Sequence, residues 1–257
     1  MDVILVPGLW LDGSSWQEVA ALLDDAGHVT HPLSLRGLTA RSADRSGVML
    51  ADHVALIAST IDQMGGPVAL VGHAEACGLV HAAVNRRPER IARAFHVGGL
   101  PSAHGTYVFT GFTADAHRDT ADLEWRGSAD AALAALRERQ RDGYGNGVDS
   151  LQRLTDERRF DVPATIVATE YTTDDIRRWV AEDADPAREV ARLRDVTLID
   201  LPSGHWPQFE HSEELARLIL ESLPTPHSAT VDQKRHSATA DQKRVPAGLG
   251  GGISDPA

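Results

Sequence analysis

The sequence predicts an α/β fold with a mostly parallel, doubly wound sheet, and three observations predict it. Short apolar runs at residues 3–6 and 68–71 have the unbroken character of strands buried on both faces, and 92–97 reads as a further strand. Segments with apolar residues at helical spacing alternate with them, giving the order β-α-β-α-β-α-β with right-handed crossovers. The run at 68–71 leads through Gly72-His73-Ala74-Glu75-Ala76 into a helix, a strand-turn-helix elbow built of small residues.

Residues 3–6 enter the core directly, and Pro7-Gly8 breaks the strand. After a loop through Leu11-Asp12-Gly13-Ser14, Ser15 and Glu18 have the spacing of a capping box, and Val19, Leu22 and Leu23 give the helix its apolar stripe. Gly27 stops it. A second strand spans 29–35, with Pro32 marking an edge or a kink, and 36–48 is a polar, exposed loop. Leu50, Val54, Ile57, Ala58 and Ile61 recur at helical spacing before Gly65-Gly66-Pro67. The elbow strand follows, then a helix over 75–86, a turn at Pro88-Glu89-Arg90 and a strand over 92–97 that closes at Gly98-Gly99.

Residues 100–160 interrupt the alternation. They hold Trp125, a helical run over 129–141 and Gly143-Tyr144-Gly145-Asn146-Gly147, and read as a helical cap insertion over the C-terminal edge of the sheet. The alternation resumes with a strand at 164–169, a helix at 174–181, a strand at 196–201 and a last helix at 212–223. One domain over 1–223 is expected. Beyond it, His227 to Arg235 reads HSATVDQKR and His236 to Arg244 reads HSATADQKR, a tandem duplication in a segment with little to bury. Two copies are too few for a solenoid, so residues 224–257 are expected to be a disordered tail.

At 257 residues and 42% hydrophobic content the chain can bury one large core. A net charge of −12 gives no electrostatic support to binding of nucleic acid or of an anionic membrane, and favours a small neutral or apolar ligand. Cys77 is the lone cysteine, which leaves no intrachain disulfide and no cysteine cluster for zinc, and fits a reducing cytoplasm. The opening apolar run lacks a basic segment before it and ends too soon for a signal sequence or a membrane span. No G-x-G-x-x-G follows the first strand and no G-x-x-x-x-G-K-[ST] occurs, so a cofactor-free, metal-free site is expected. Composition says nothing of oligomeric state.

Three stretches carry a family resemblance: Val6-Pro7-Gly8-Leu9-Trp10 with Trp16, Gly72-His73-Ala74-Glu75-Ala76, and Ser203-Gly204-His205-Trp206-Pro207. In this order and spacing, over residues 3–223, the chain resembles the α/β-hydrolase fold family, in its small esterase and hydroxynitrile-lyase-like branch. The resemblance implies a G-x-S-x-G elbow whose apex serine is the nucleophile, and here Ala74 stands at the apex. It also implies an oxyanion hole from the N–H of Glu75 and one from the first loop, Leu9 or Trp10. Pro7 departs from the usual His-Gly there, mildly, because that contact comes from the backbone.

The resemblance makes His205 the general base. It puts the acid in the turn after the strand at 164–169, where Asp174 is the first choice, Glu170 the second and Asp175 the third; each carboxylate could instead cap a helix or face solvent. Glu75 could act as a carboxylate base, though a first-turn glutamate is stabilised by the helix in any case. Cys77, one turn past the apex, reads as a buried small hydrophobe, and Trp125 in the insertion as a substrate contact.

Without a hydroxyl at residue 74 there is no acyl-enzyme. Three readings stay open. The chain is an enzyme acting on a small ester, lactone or ketone through the oxyanion hole and His205, adding water directly or passing through an enolate. It is a Ser→Ala variant of an ordinary ester or lactone hydrolase, made to trap substrate. Or it is a binding protein that keeps the pocket and has lost catalysis.

Overall fold

The computed structural model describes residues 1–8, 11–36, 48–106, 108 and 151–224. Its strands are β1 (Asp2–Val6), β2 (Val29–Pro32), β3 (Val68–His73), β4 (Ile91–Val97), β5 (Ala164–Ala168) and β6 (Val196–Asp200). They form one sheet in the order β2-β1-β3-β4-β5-β6, every neighbouring pair parallel. Its helices are α1 (Gln17–Asp25), α2 (Leu50–Gln63), α3 (Ala76–Arg86), α4 (Thr173–Ala181), α5 (Pro207–Glu210) and α6 (Ser212–Ser222).

Strand alternation sends Ile4, Val6 and Leu70 to one face, against Ile57 and Ile61 of α2 and Leu79 of α3. Val3, Leu5, Ala69 and Val71 go to the other face, against Val19 and Leu23 of α1 and Leu215 and Ile219 of α6. Helices therefore cover both faces, which is why β1 and β3 carry unbroken apolar runs. The expected doubly wound parallel architecture is the one observed. Its register pairs Val6 with Gly72, His73 with Val97, Val97 with Val167 and Ala168 with Asp200, so the carboxyl ends of β3 to β6 finish together. In open parallel sheets ligands bind outside that edge.

Local departures from the sequence reading have local causes. Ser15 and Glu18 do not cap α1: a 3-10 turn over Gly13–Trp16 comes first, capped by Asp12, whose side chain accepts from Ser14 N at 3.0 Å. The Ser15 hydroxyl instead donates to the Asp12 carbonyl at 2.7 Å. β2 stops at Pro32 and not at 35, and it lies at the sheet edge, where a residue without an N–H costs least. The short α5 was not foreseen; Pro207 opens it, its fixed φ and missing N–H suiting a first helical position.

The body of the expected cap insertion, residues 109–150 with Trp125, lies outside the described residues, as does the tail from 225 onward with its duplication. The two ends of the insertion are joined by backbone hydrogen bonds from Gly105 N to Gln152 O at 2.8 Å and from Gln152 N to Thr106 O at 2.7 Å.

Candidate active site

β3 runs buried to His73, and the chain then turns through Ala74 at φ 51°, a left-handed conformation that non-glycine residues seldom adopt. The turn is held by backbone hydrogen bonds: Ala74 N donates to Val97 O at 2.8 Å and Cys77 N to Ala74 O at 3.0 Å. Close approach explains the small residues around it. A Cβ on Gly72 would lie 2.8 Å from Val80 Cγ2 and 2.9 Å from Ala76 O, and one on Gly99 would overlap the Ala74 carbonyl. Ala74 therefore holds the strained apex of an elbow whose backbone is complete.

The first loop presses on the same place, since a Cβ on Gly8 would sit 2.6 Å from His73 Nδ1. Leu9 and Trp10, the expected oxyanion donors of that loop, lie outside the described residues. Glu75 follows Ala74 directly as the N-cap of α3, with φ −62° and ψ −25°.

His205 lies on the loop after β6, just before α5. Its Nδ1 is 2.7 Å from Glu170 Oε2. A carboxylate only accepts, so Nδ1 carries the proton and Nε2 is left as the basic nitrogen of the ring. Burial lowers the pKa of His205, but the Glu170 hydrogen bond and the charges of Glu170, Glu75 and Glu210 outweigh burial and set it above the ordinary 6.5. Glu170 is held below the usual carboxylate range by its hydrogen bond to His205, against the opposing effect of burial.

The loop is pinned from beneath. His73 is fully buried and its Nε2 lies 2.7 Å from the His205 carbonyl oxygen, so that nitrogen carries the hydrogen and donates. Burial, helped by the neighbouring His205, pushes the His73 pKa down to about 3, so this ring is neutral at physiological pH. The His205 ring stacks edge-on to Trp206 with centroids 4.5 Å apart. Glu210 of α5 accepts from Gly204 N at 2.7 Å, and a Cβ at 204 would strike the same carboxylate.

The acid expected first is elsewhere. Asp174 is nearly fully exposed and pairs with Arg177 at 2.7 Å, while Asp175 closes a capping box with Thr172 at the start of α4 and pairs with Arg178 at 2.6 Å. Glu170, the second choice, is the carboxylate that reaches His205. Counting from the preceding turn points near residue 171, and the extra methylene of glutamate lets a residue closer to β5 span the gap. The supporting roles of Glu210 and His73 leave little trace in the sequence beyond the small residue before His205 and the elbow position of His73. Cys77 is buried, its thiol donating to Gly72 O at 3.3 Å and its pKa pushed up by burial, as befits a small core residue.

Among the described residues no group of three or more His, Cys, Asp and Glu side chains is arranged to hold a metal ion, and no helix is long and apolar enough to cross a membrane.

No curated protein matches the chain. Solved structures do. An extracellular α/β-hydrolase from a Paenibacillus species, described as sharing homology with tobacco salicylic acid binding protein 2, is 14% identical with a TM-score of 0.64, covering 88% of this chain and 100% of its own. A methylesterase from Arabidopsis is 17% identical with a TM-score of 0.62, over 86% of this chain and 98% of its own. A variant of tomato methylketone synthase I, complexed with β-ketoheptanoate, is 15% identical with a TM-score of 0.58, over 86% and 96%. At such identities these likenesses speak for the fold alone. The model of the alpha/beta hydrolase family matches residues 3–218. With that match spanning nearly all of the sheet, its elbow and the His205 loop, the chain belongs to the alpha/beta hydrolase family.

Proposed function

We propose that the chain is a cofactor-free enzyme acting on a small carbonyl compound, an ester, lactone or ketone, by acid-base chemistry at His205 and without an acyl-enzyme. The observation that carries the reading is the 2.7 Å contact between His205 and Glu170 beside an elbow whose apex is alanine. A pocket used only for binding needs no oriented, charge-supported imidazole.

In this reading the substrate carbonyl oxygen sits against the N–H of Glu75 and that of Leu9 or Trp10. Such donors are worth roughly 10²–10³ in rate where negative charge develops. His205 Nε2 takes a proton either from water, which attacks the carbonyl carbon, or from the carbon beside the carbonyl, leaving an enolate oxygen in the hole. Glu170 stays ionised and stabilises the imidazolium, which returns the proton to the leaving oxygen or to carbon. General acid-base catalysis of this kind supplies roughly 10²–10⁴. That one fold neighbour is described as a methylketone synthase bound to a β-keto acid supports including ketone substrates beside esters.

The test compares the native protein, Ala74→Ser and His205→Ala on activated esters, lactones and β-keto acids. Turnover of one class by the native protein, lost by about 10²-fold or more in His205→Ala, is expected. A native protein inert on every class, with ester hydrolysis emerging only in Ala74→Ser, would overturn the reading and point to a hydrolase deprived of its nucleophile.

A further inference from the structure

A pocket lies between α2, α3 and residues 151–153, with a volume of about 410 Å³. We propose that it binds a small amphipathic carboxylate, with Arg86 and Arg153 holding the charge and the apolar wall holding the chain.

The wall comes from Leu50 and Val54 on α2, Ala82 on α3, and Leu151, which is left 50% exposed at the rim. The volume is in the range of ordinary small-molecule sites, which run from roughly 300 to 1,000 Å³.

The charge is the more telling feature. The chain carries a net charge of −12, and carboxylates claim most of its described guanidinium groups: Arg87 pairs with Asp62, Arg159 with Glu189, Arg192 with Glu157 and Arg217 with Glu221. Among the described residues neither Arg86 nor Arg153 has an ion pair, and both line this one pocket. Arg86 closes α3, where a cation suits the helix C-terminus. That account does not extend to Arg153, which arrives on a separate segment. Two unpaired guanidinium groups at one apolar pocket are complementary to one carboxylate with an apolar tail. They are too few to hold a polyanion against the field of an acidic chain.

Its place in the fold gives the pocket reach. Gln152, between the two rim residues, joins the ends of the insertion through its backbone, and its side chain donates to the Gly78 carbonyl of α3 at 3.1 Å. A ligand here contacts the root of the cap insertion and the helix that begins at the elbow.

Isothermal titration of the full chain with octanoate at low salt tests this, with octanol and octyltrimethylammonium as controls. Saturable one-site binding of octanoate is expected, and both controls bind at least about tenfold more weakly. Arg86→Gln and Arg153→Gln each weaken it by about fivefold or more, and Ala51→Trp, which fills the pocket from the exposed side of α2, abolishes it. Circular dichroism confirms that each variant is folded. Binding that persists in the double arginine variant and in Ala51→Trp would place octanoate elsewhere and overturn the proposal, as would no binding by the native chain. Binding by octanol as tight as by octanoate would overturn the role of the arginines.

Discussion

Glu170 Oε2 lies 2.7 Å from His205 Nδ1, while Asp174, four residues on, turns outward to Arg177. Burial alone would depress the His205 pKa, and the Glu170 hydrogen bond and charge reverse it. Glu170→Gln is therefore expected to lower the pKa of His205, and Asp174→Asn to leave it unchanged. An NMR titration of the imidazole protons reads this directly. Activity should fall by roughly 10²–10⁴ in Glu170→Gln, because the amide no longer fixes the tautomer or supports the imidazolium.

The same pair sets a window of stability. The raised His205 pKa contributes stability that is full below about 6.5 and is lost as pH rises through the folded value. The lowered Glu170 pKa contributes stability present above about 4.5 and lost as pH falls through its folded value. The coupling should be strongest between those limits, and a double-mutant cycle of Glu170→Gln and His205→Gln, measured by urea unfolding at pH 5.5 and pH 9, checks it. Coupling larger at pH 9 would contradict this.

Gly99 tests the elbow. Its substituent would overlap the Ala74 carbonyl and lie 2.9 Å from Cys77 Sγ, both fixed by the turn and the core. Gly99→Ala is expected to cost about 2–3 kcal/mol in urea unfolding, in the range of overpacked cores. Gly65→Ala, where a Cβ meets nothing within 4 Å, should cost far less.

Two histidines make the fold acid-sensitive. Burial holds His73 and His96 at about 3, so between that value and about 6.5 the unfolded chain binds protons that the folded chain refuses. Stability should fall with falling pH by up to about 1.4 kcal/mol per pH unit for each. His96 is buried beside His81, so His96→Leu should flatten the slope by about one such share in urea melts between pH 4 and 6. An unchanged slope would mean that His96 does not contribute.

A buried ion cluster gives the last expectation. Glu189 Oε2 lies 2.7 Å from His81 Nε2 and 3.0 Å from Arg159 Nε, with all three side chains almost wholly excluded from water. Burial alone would raise the Glu189 pKa, but these two partners bring it down to about 2. Glu189→Ala removes the buried partner of Arg159, leaving it the exposed Glu157 at 3.4 Å and the Asp156 carbonyl at 3.0 Å, and is expected to cost about 3–5 kcal/mol in denaturant melts. Replacing Glu189, His81 and Arg159 together by apolar residues of similar volume should cost less than the single change.

The sheet was legible because strands buried on both faces leave unbroken apolar runs, and residues 3–6 and 68–71 each sit inside an observed strand. The position of His205 on the loop after the last strand was legible. The identity of its partner was not, because a carboxylate's reach depends on where β5 stops and on one methylene of side chain, and neither follows from counting. Asp174 and Asp175 had local claims that sequence spacing does show: each has an arginine three residues on, and Thr172 precedes Asp175 by a capping interval. Asp12 likewise took the cap that Ser15 and Glu18 had suggested, since a carboxylate two residues before a backbone N–H closes a turn without help from a helix.

The link from His73 to the His205 carbonyl has a consequence for how this site can change over time. The ring that steadies the His205 loop hangs from the strand beneath the apex, and the apex is held by main-chain bonds, so the turn does not rest on the chemistry of the side chain at 74. Alanine and serine codons differ by a single base. A lineage can therefore gain or lose a hydroxyl here in one mutational step, with the fold intact on either side of it.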